Sequence, residues 1–176
     1  MVSIQTIQHI LNNSRIGIDS TGYPRCDLDS HDDTCLAGDN FIMHSRTGET
    51  VSIYGFDDDA PPVSNVPVGT CMTAYTLETG ETVILIVHQA LYLGKRHQGS
   101  LLCPNQMRQH GVRVDDCPVH LSMGMNSTHS IILQEDDVTI PLQLDGTISY
   151  FNSHIPTKRA AGMPPCGTHI INNLGS

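Results

Sequence analysis

Tryptophan is absent from this 176-residue sequence, and cations are scarce: nine Lys and Arg stand against 18 Asp and Glu, for a formal net charge of -9. Phosphate binding draws on clustered Lys and Arg, so nucleic acid is not an expected partner. No apolar run approaches the roughly 18 residues needed to span a bilayer. The opening MVSIQTIQHILNNSR has neither the basic start nor the uninterrupted apolar stretch of a signal peptide. No membrane partner and a cytoplasmic location are therefore expected. The six cysteines (Cys26, Cys35, Cys71, Cys103, Cys117, Cys166) form no CxxC pair and no Cys/His spacing of a zinc site, which predicts free thiols in a reducing compartment. The ten histidines are as dispersed, with none four residues from another, and neither a metal nor a cofactor is expected.

What is present is hydrophobic residue at 39%, with 15 Gly and 10 Pro, a composition that suits a turn-rich, strand-rich globule better than a helical bundle. The length suits one domain. Residues 4–11 place Ile4, Ile7, Ile10 and Leu11 on one face of a short helix. From residue 15 the pattern changes to short apolar or alternating runs at 15–18, 25–28, 41–43, 51–54, 66–75 and 82–87. They are separated by STGYP, HSRTGE, DDDAPPVSN and LETGE, each rich in reversal-forming residues. Residues 66–75 and 81–93 read as a hairpin across Thr79 and Gly80. Pro104 suits a first helical turn and Gly111 a helix stop, which predicts one short helix over 104–110 before extended chain resumes at 112–114. A second hairpin is expected in HSIILQEDDVTIPLQLDGTISYF, where Ile131, Leu133, Val138, Ile140, Leu142, Leu144 and Ile148 imply one buried face. Residues 156–176 read as a flexible tail.

The stretch CDLDSHDDTCLAG gathers Asp27, Asp29, His31, Asp32 and Asp33 between apolar flanks. A calcium loop would need Gly where Asp32 stands and a bidentate Glu where Gly38 stands. A phosphotransfer loop built on Asp27 and Asp29 would need Thr in place of His31 and a stronger preceding strand than GYPRC. A merely solvated acidic turn fits poorly with Leu28, Cys35, Leu36 and Ala37 on either side. The remaining reading is an aspartic protease, in which two strand-end aspartates share a proton and a water. Leu28-Asp29-Ser30 is one good copy of such a site. Ile18-Asp19-Ser20-Thr21-Gly22 is an imperfect one, and ten residues of separation are too few for two lobes. The second carboxylate is then expected from another copy of the chain, which predicts a homodimer with the site on its two-fold axis.

LDSHDDTCLAG resembles the active-site segment of retropepsin-like aspartic proteases from copia-type retrotransposon polyproteins, where a DSHAD-T variant replaces the usual DSG or DTG. TAYTLETGETVILIVHQALYL is similar to the strand of that family ending in an LYV-like segment, and SLLCPNQMRQHGV to its NLLS-x-x-QL-x-x-x-G motif. The resemblance runs from residue 26 to about residue 156. It implies an all-β, closed acid-protease fold with one short helix supporting the catalytic loop from behind. It implies Asp29 as the catalytic residue, Ser30 as the hydroxyl that locks the two loops across a dimer, and Asp33 and Thr34 as residues that hold the loop or touch the substrate backbone.

Two positions depart from the family pattern. Gly normally follows the Asp-Ser pair because its missing Cβ admits a close approach, and here it is His31, expected to point outward. Asp32 adds a negative charge beside Asp29. A flap is expected in residues 55–70, at Pro67, Val68 and Gly69, with residues 44–49 as the second choice. The implied organisation is an N-terminal segment (1–25), a protease core (26–117), a C-terminal hairpin extension (118–155) and the tail. The implied activity is cleavage of the polyprotein that contains the chain, within the cytoplasm or a retrotransposon virus-like particle. Two alternatives stand beside it: a catalytically silent peptide-binding or scaffold domain, and a metal-dependent phosphohydrolase using Asp27, Asp29 and Asp32.

Overall fold

Alternating apolar residues on both sides of Thr79 and Gly80 fold as the central hairpin of a largely β protein, seen in a computed structural model that describes residues 22–54, 59, 61–124, 126–156 and 168–172. The expected helix over 4–11, the strand at 15–18 and the Asp19 copy lie outside these residues. The strands are β1 (Arg25–Leu28), β2 (Leu36–Gly38), β3 (Ile42–Ile53), β4 (Val63–Thr76), β5 (Thr82–Gly94) and β6 (Ser100–Leu102). After one helix, α1 (Pro104–Gln109), come β7 (Arg113–Asp115), β8 (Ser130–Leu133), β9 (Val138–Pro141), β10 (Gln143–Asp145), β11 (Ile148–Asn152) and β12 (Thr168–Asn172).

The large sheet runs β10-β11-β1-β6-β2-β5-β4-β3, with β12 also paired to β5, and a small sheet runs β7-β8-β9. The large sheet is open, ending at β10 and β3, where a closed fold was expected. Both sheets contribute to one core: Cys26, Leu85 and Phe151 from the large sheet lie with Ile131 and Ile140 from the small one and Met107 from α1. Burying each such aliphatic side chain contributes on the order of 1.5–3 kcal/mol. Of the face expected in the second hairpin, Ile131, Leu133, Val138, Ile140 and Leu142 are buried, while Leu144 and Ile148 are half-buried and lie on β10 and β11 of the large sheet.

Four sequence expectations change. HSRTGE makes no reversal; β3 runs straight through it, and the pairs Arg46↔Gly69 and Thr50↔Pro67 show that two extra residues are absorbed as a bulge. Gly48 at φ +93° supplies the backbone conformation this needs, and Thr47 Oγ1 donates to the Val68 carbonyl at 3.1 Å. The expected boundary at residue 117/118 is crossed by strand pairing: β7 pairs with β8, and β11 pairs antiparallel with β1 at Cys26↔Phe151. The expected extension therefore supplies two strands, β10 and β11, to the nine-stranded sheet that contains β1. Within the expected flexible tail, Thr168–Asn172 forms a strand parallel to β5. Pro67, Val68 and Gly69 sit inside β4 and not at a turn, with Val68 buried against the core.

Gly38 ends β2 where the chain passes very close to Gly99: a Cβ there would lie 1.6 Å from the Gly99 carbonyl oxygen, so no larger residue fits. This close approach lies where β2, the strand that follows the acidic loop, runs beside β6. Among the described residues no helix is long and apolar enough to cross a membrane.

Candidate functional site

The acidic loop begins where β1 ends. β1 lies parallel to β6, and the ladder continues one step past the strand, with Asp29 N–H donating to the Leu102 carbonyl at 3.0 Å. Pro104 then starts α1, and Cys103 occupies its N-cap with Sγ accepting from Gln106 N–H. The same Sγ donates to the Asp32 carbonyl at 2.7 Å. Asn105 Nδ2 donates to the Ser30 carbonyl at 3.3 Å, and Gln106 Oε1 accepts from Cys35 N–H at 3.0 Å. Downstream, Leu91 N–H donates to the Cys35 carbonyl at 2.9 Å. The turn from β6 into α1 thus fastens successive backbone groups of the loop.

Asp29 is half-buried, and its Oδ1 accepts from His31 N–H at 2.9 Å, a local turn that fixes the carboxylate over its own loop. The His31 imidazole is 90% exposed, with Nδ1 3.6 Å from Asp29 Oδ1. Ser30 and Asp33 are exposed, and Thr34 is half-buried. Asp32 is half-buried; burial, followed by the charges of Asp29 and Asp33, holds its carboxyl above the usual carboxylate range, and its Oδ2 has no hydrogen-bond partner among the described residues.

Asp27 behaves differently. It is 2% exposed, and its Oδ1 lies 2.6 Å from Nε of the fully buried Arg25. Arg25 also pairs with Asp145 at 2.8 Å and stacks 4.4 Å from the centre of the Tyr150 ring. Among the described residues no group of three His, Cys, Asp or Glu side chains is arranged to hold a metal ion, and the combination of Asp27, Asp29 and Asp32 is not such a group. Arg25 and Asp145 were not singled out from the sequence, where nothing marks residues 120 positions apart as partners.

Behind the loop lies a buried polar network that also escaped the sequence reading. Asn40 Nδ2 donates to Ser153 Oγ at 2.8 Å, Ser100 Oγ donates to Asn40 Oδ1 at 2.6 Å, and Thr73 Oγ1 donates to the Asn40 carbonyl at 2.8 Å. Cys26, Cys35, Cys71, Cys103 and Cys117 are free thiols, and burial pushes those of Cys26, Cys35 and Cys71 up to about 12. Cys26, Cys35 and Cys71 therefore stay protonated at neutral pH.

A cleft of about 480 Å³ opens between the acidic loop and the β3–β4 hairpin. Asp32, Asp33 and Thr34 of the loop line one part of it, and Val51 and Ile53 from the outer part of β3, with Tyr54 just beyond the strand, line another. Leu36, Leu91 and Leu101 lie on its floor. Asp29 itself is not among its lining residues. A second hollow of about 660 Å³, around Tyr75, Phe151, Glu78 and His154, shares no residue with the loop. No protein-family model, curated protein or solved structure matches this chain.

Proposed function

We propose that this chain is a retropepsin-like aspartic endopeptidase that acts as a homodimer on the polyprotein containing it. The observation that carries the reading is the placement of Asp29: a carboxylate held at a strand end by a loop tied to β6 and α1, next to a cleft roofed by a long hairpin. In the dimer the Asp29 carboxyl groups of the two copies share one proton, since two adjacent carboxylates resist double ionisation. The ionised one takes a proton from water as the oxygen attacks the peptide carbonyl, and the protonated one donates to the carbonyl oxygen. Proton transfer to the amide nitrogen then breaks the C–N bond and releases a carboxylic acid and an amine.

The flap in this reading is the outer β3–β4 hairpin, which takes the place of Pro67, Val68 and Gly69. Its arms beyond Glu49 and before Val66 are largely exposed, as a segment that closes over substrate requires. Ser30 braces the paired loops across the two-fold axis, while Asp33 and Thr34 stand at the cleft end where substrate enters.

The test is incubation of the purified chain, and of its Asp29→Asn variant, with the flanking polyprotein, reading products by mass. Asp29→Asn is expected to lower the rate at least about 100-fold, and an unchanged rate removes Asp29 from the chemistry. Sedimentation that finds activity only in a monomer ends the two-chain mechanism. A second reading, a silent peptide-binding domain, draws on His31, whose Nδ1 lies 3.6 Å from Asp29 Oδ1 at a position that close substrate approach would leave to glycine. Binding of peptide without cleavage by the wild-type chain favours that reading.

A further inference from the structure

Leu36 is paired with Leu91 on one side and with Leu101 on the other, so three leucines lie in one row across β5, β2 and β6. Each is half-buried, while their sequence neighbours Cys35, Ala37, Ala90 and Leu102 point the opposite way into the core. A sheet face turned to water is ordinarily polar, because alternation lets one face pack and the other hydrate. Here the outward face is apolar along the row, and the hairpin covers it only loosely: Val51 is 36% and Tyr54 76% exposed. The enclosed 480 Å³ is too small for a folded partner and suits one or two side chains of an extended peptide.

One end of the row is acidic. Asp33 is exposed and makes no hydrogen bond or ion pair among the described residues, and Asp32 Oδ2 is buried without a partner. A cation at that end would meet both, and the chain's own charge of -9 favours its approach.

We propose that this cleft is the specificity subsite of the peptide substrate: the leucine row takes a bulky aliphatic or aromatic side chain, and Asp33 with Asp32 takes a neighbouring Lys or Arg. The inference rests on the proteolytic reading for cleavage, while binding in the cleft stands apart from it. An anionic or small polar sequence at the same place would leave the row wet and set like charges against each other.

The experiment uses the full chain and short synthetic peptides that vary one position among Leu, Phe, Ser and Ala and its neighbours among Lys, Ser and Glu. Cleavage is read by mass, and binding of the same fluorescently labelled peptides to Asp29→Asn is read by anisotropy. Wild type is expected to prefer Leu or Phe next to Lys over the Ser and Glu variants by roughly tenfold. Asp33→Lys, at an exposed position, is expected to invert the Lys and Glu order, and Leu91→Ser to flatten the preference for size; melting curves check that both fold. Cleavage with no such preference, or with one that Asp33→Lys leaves intact, overturns the subsite and spares the protease. Binding with the expected preference but no cleavage supports the subsite and counts against the protease. Neither binding nor cleavage overturns both.

Discussion

Asp27 and Asp29 stand two residues apart on one segment and have opposite surroundings. Asp27 is buried, with Arg25 at 2.6 Å and, through Arg25, a link to Asp145 on β10. Asp29 accepts from the His31 backbone N–H, lies beside an exposed imidazole and the Asp32 carboxyl, and makes no ion pair with a buried cation among the described residues. The difference lies in what flanks each end of β1. The start of the strand is enclosed by β11 and Tyr150, so a carboxylate there survives burial only beside a guanidinium. Past the end of the strand, β6 and α1 hold the loop by its backbone N–H and carbonyl groups and not by its carboxylate, so Asp29 stays open to a reactant or a second copy. One acid is structural and the other available because of their partners, not their residue type.

The sharpest way to break this contrast is to remove the buried cation. Arg25→Leu leaves Asp27 and its pair unbalanced and is expected to lower stability by about 3–5 kcal/mol, measured by urea unfolding, whereas Asp29→Asn should change it by no more than about 0.5 kcal/mol. Equal losses would show that both acids are structural. Next in size is the polar network beside Asp27. Asn40→Ala removes the acceptor of Ser100 Oγ and a donor to Ser153 Oγ, while Thr73 keeps the residue 40 carbonyl, and is expected to cost about 1–3 kcal/mol in the same assay.

The smallest expected effect concerns Asp32, which lies on the open side but is half enclosed. Its carboxyl is held above the ordinary value of 3.8, so the folded state favours the protonated form. The stability tied to that form is fully present below 3.8 and is lost as pH rises through the raised value. Asp32→Asn cannot ionise, so its melting temperature is expected to exceed that of wild type at pH 7, with the gap closing as pH falls below 3.8. A gap that does not change with pH would mean the gain comes from packing and not from charge.

Much of the local structure was legible in the residues. Alternation and the Thr79-Gly80 turn marked β4 and β5, Pro104 and Gly111 bracketed α1, and Leu28-Asp29-Ser30 marked a strand end with an acid beyond it. HSRTGE misled because a glycine with positive φ serves a bulge as readily as a turn, and only the pairing of Arg46 with Gly69 and Thr50 with Pro67 separates the two. The reversal between β3, which ends at Ile53, and β4, which starts at Val63, was legible in DDDAPPVSN, while Pro67, Val68 and Gly69 lie within β4, where pairing with β3 is irregular.

Alternation, proline at a first helical turn and glycine at a stop act over a few neighbouring residues, so the residues alone located β4, β5 and α1. Tertiary structure alone decided that Asp27 is enclosed and Asp29 open, that β11 joins the sheet beside β1, and that three leucines far apart in the chain line one cleft. Those outcomes depend on which strands lie side by side and which groups lose their water, and neither is set by a residue's immediate neighbours.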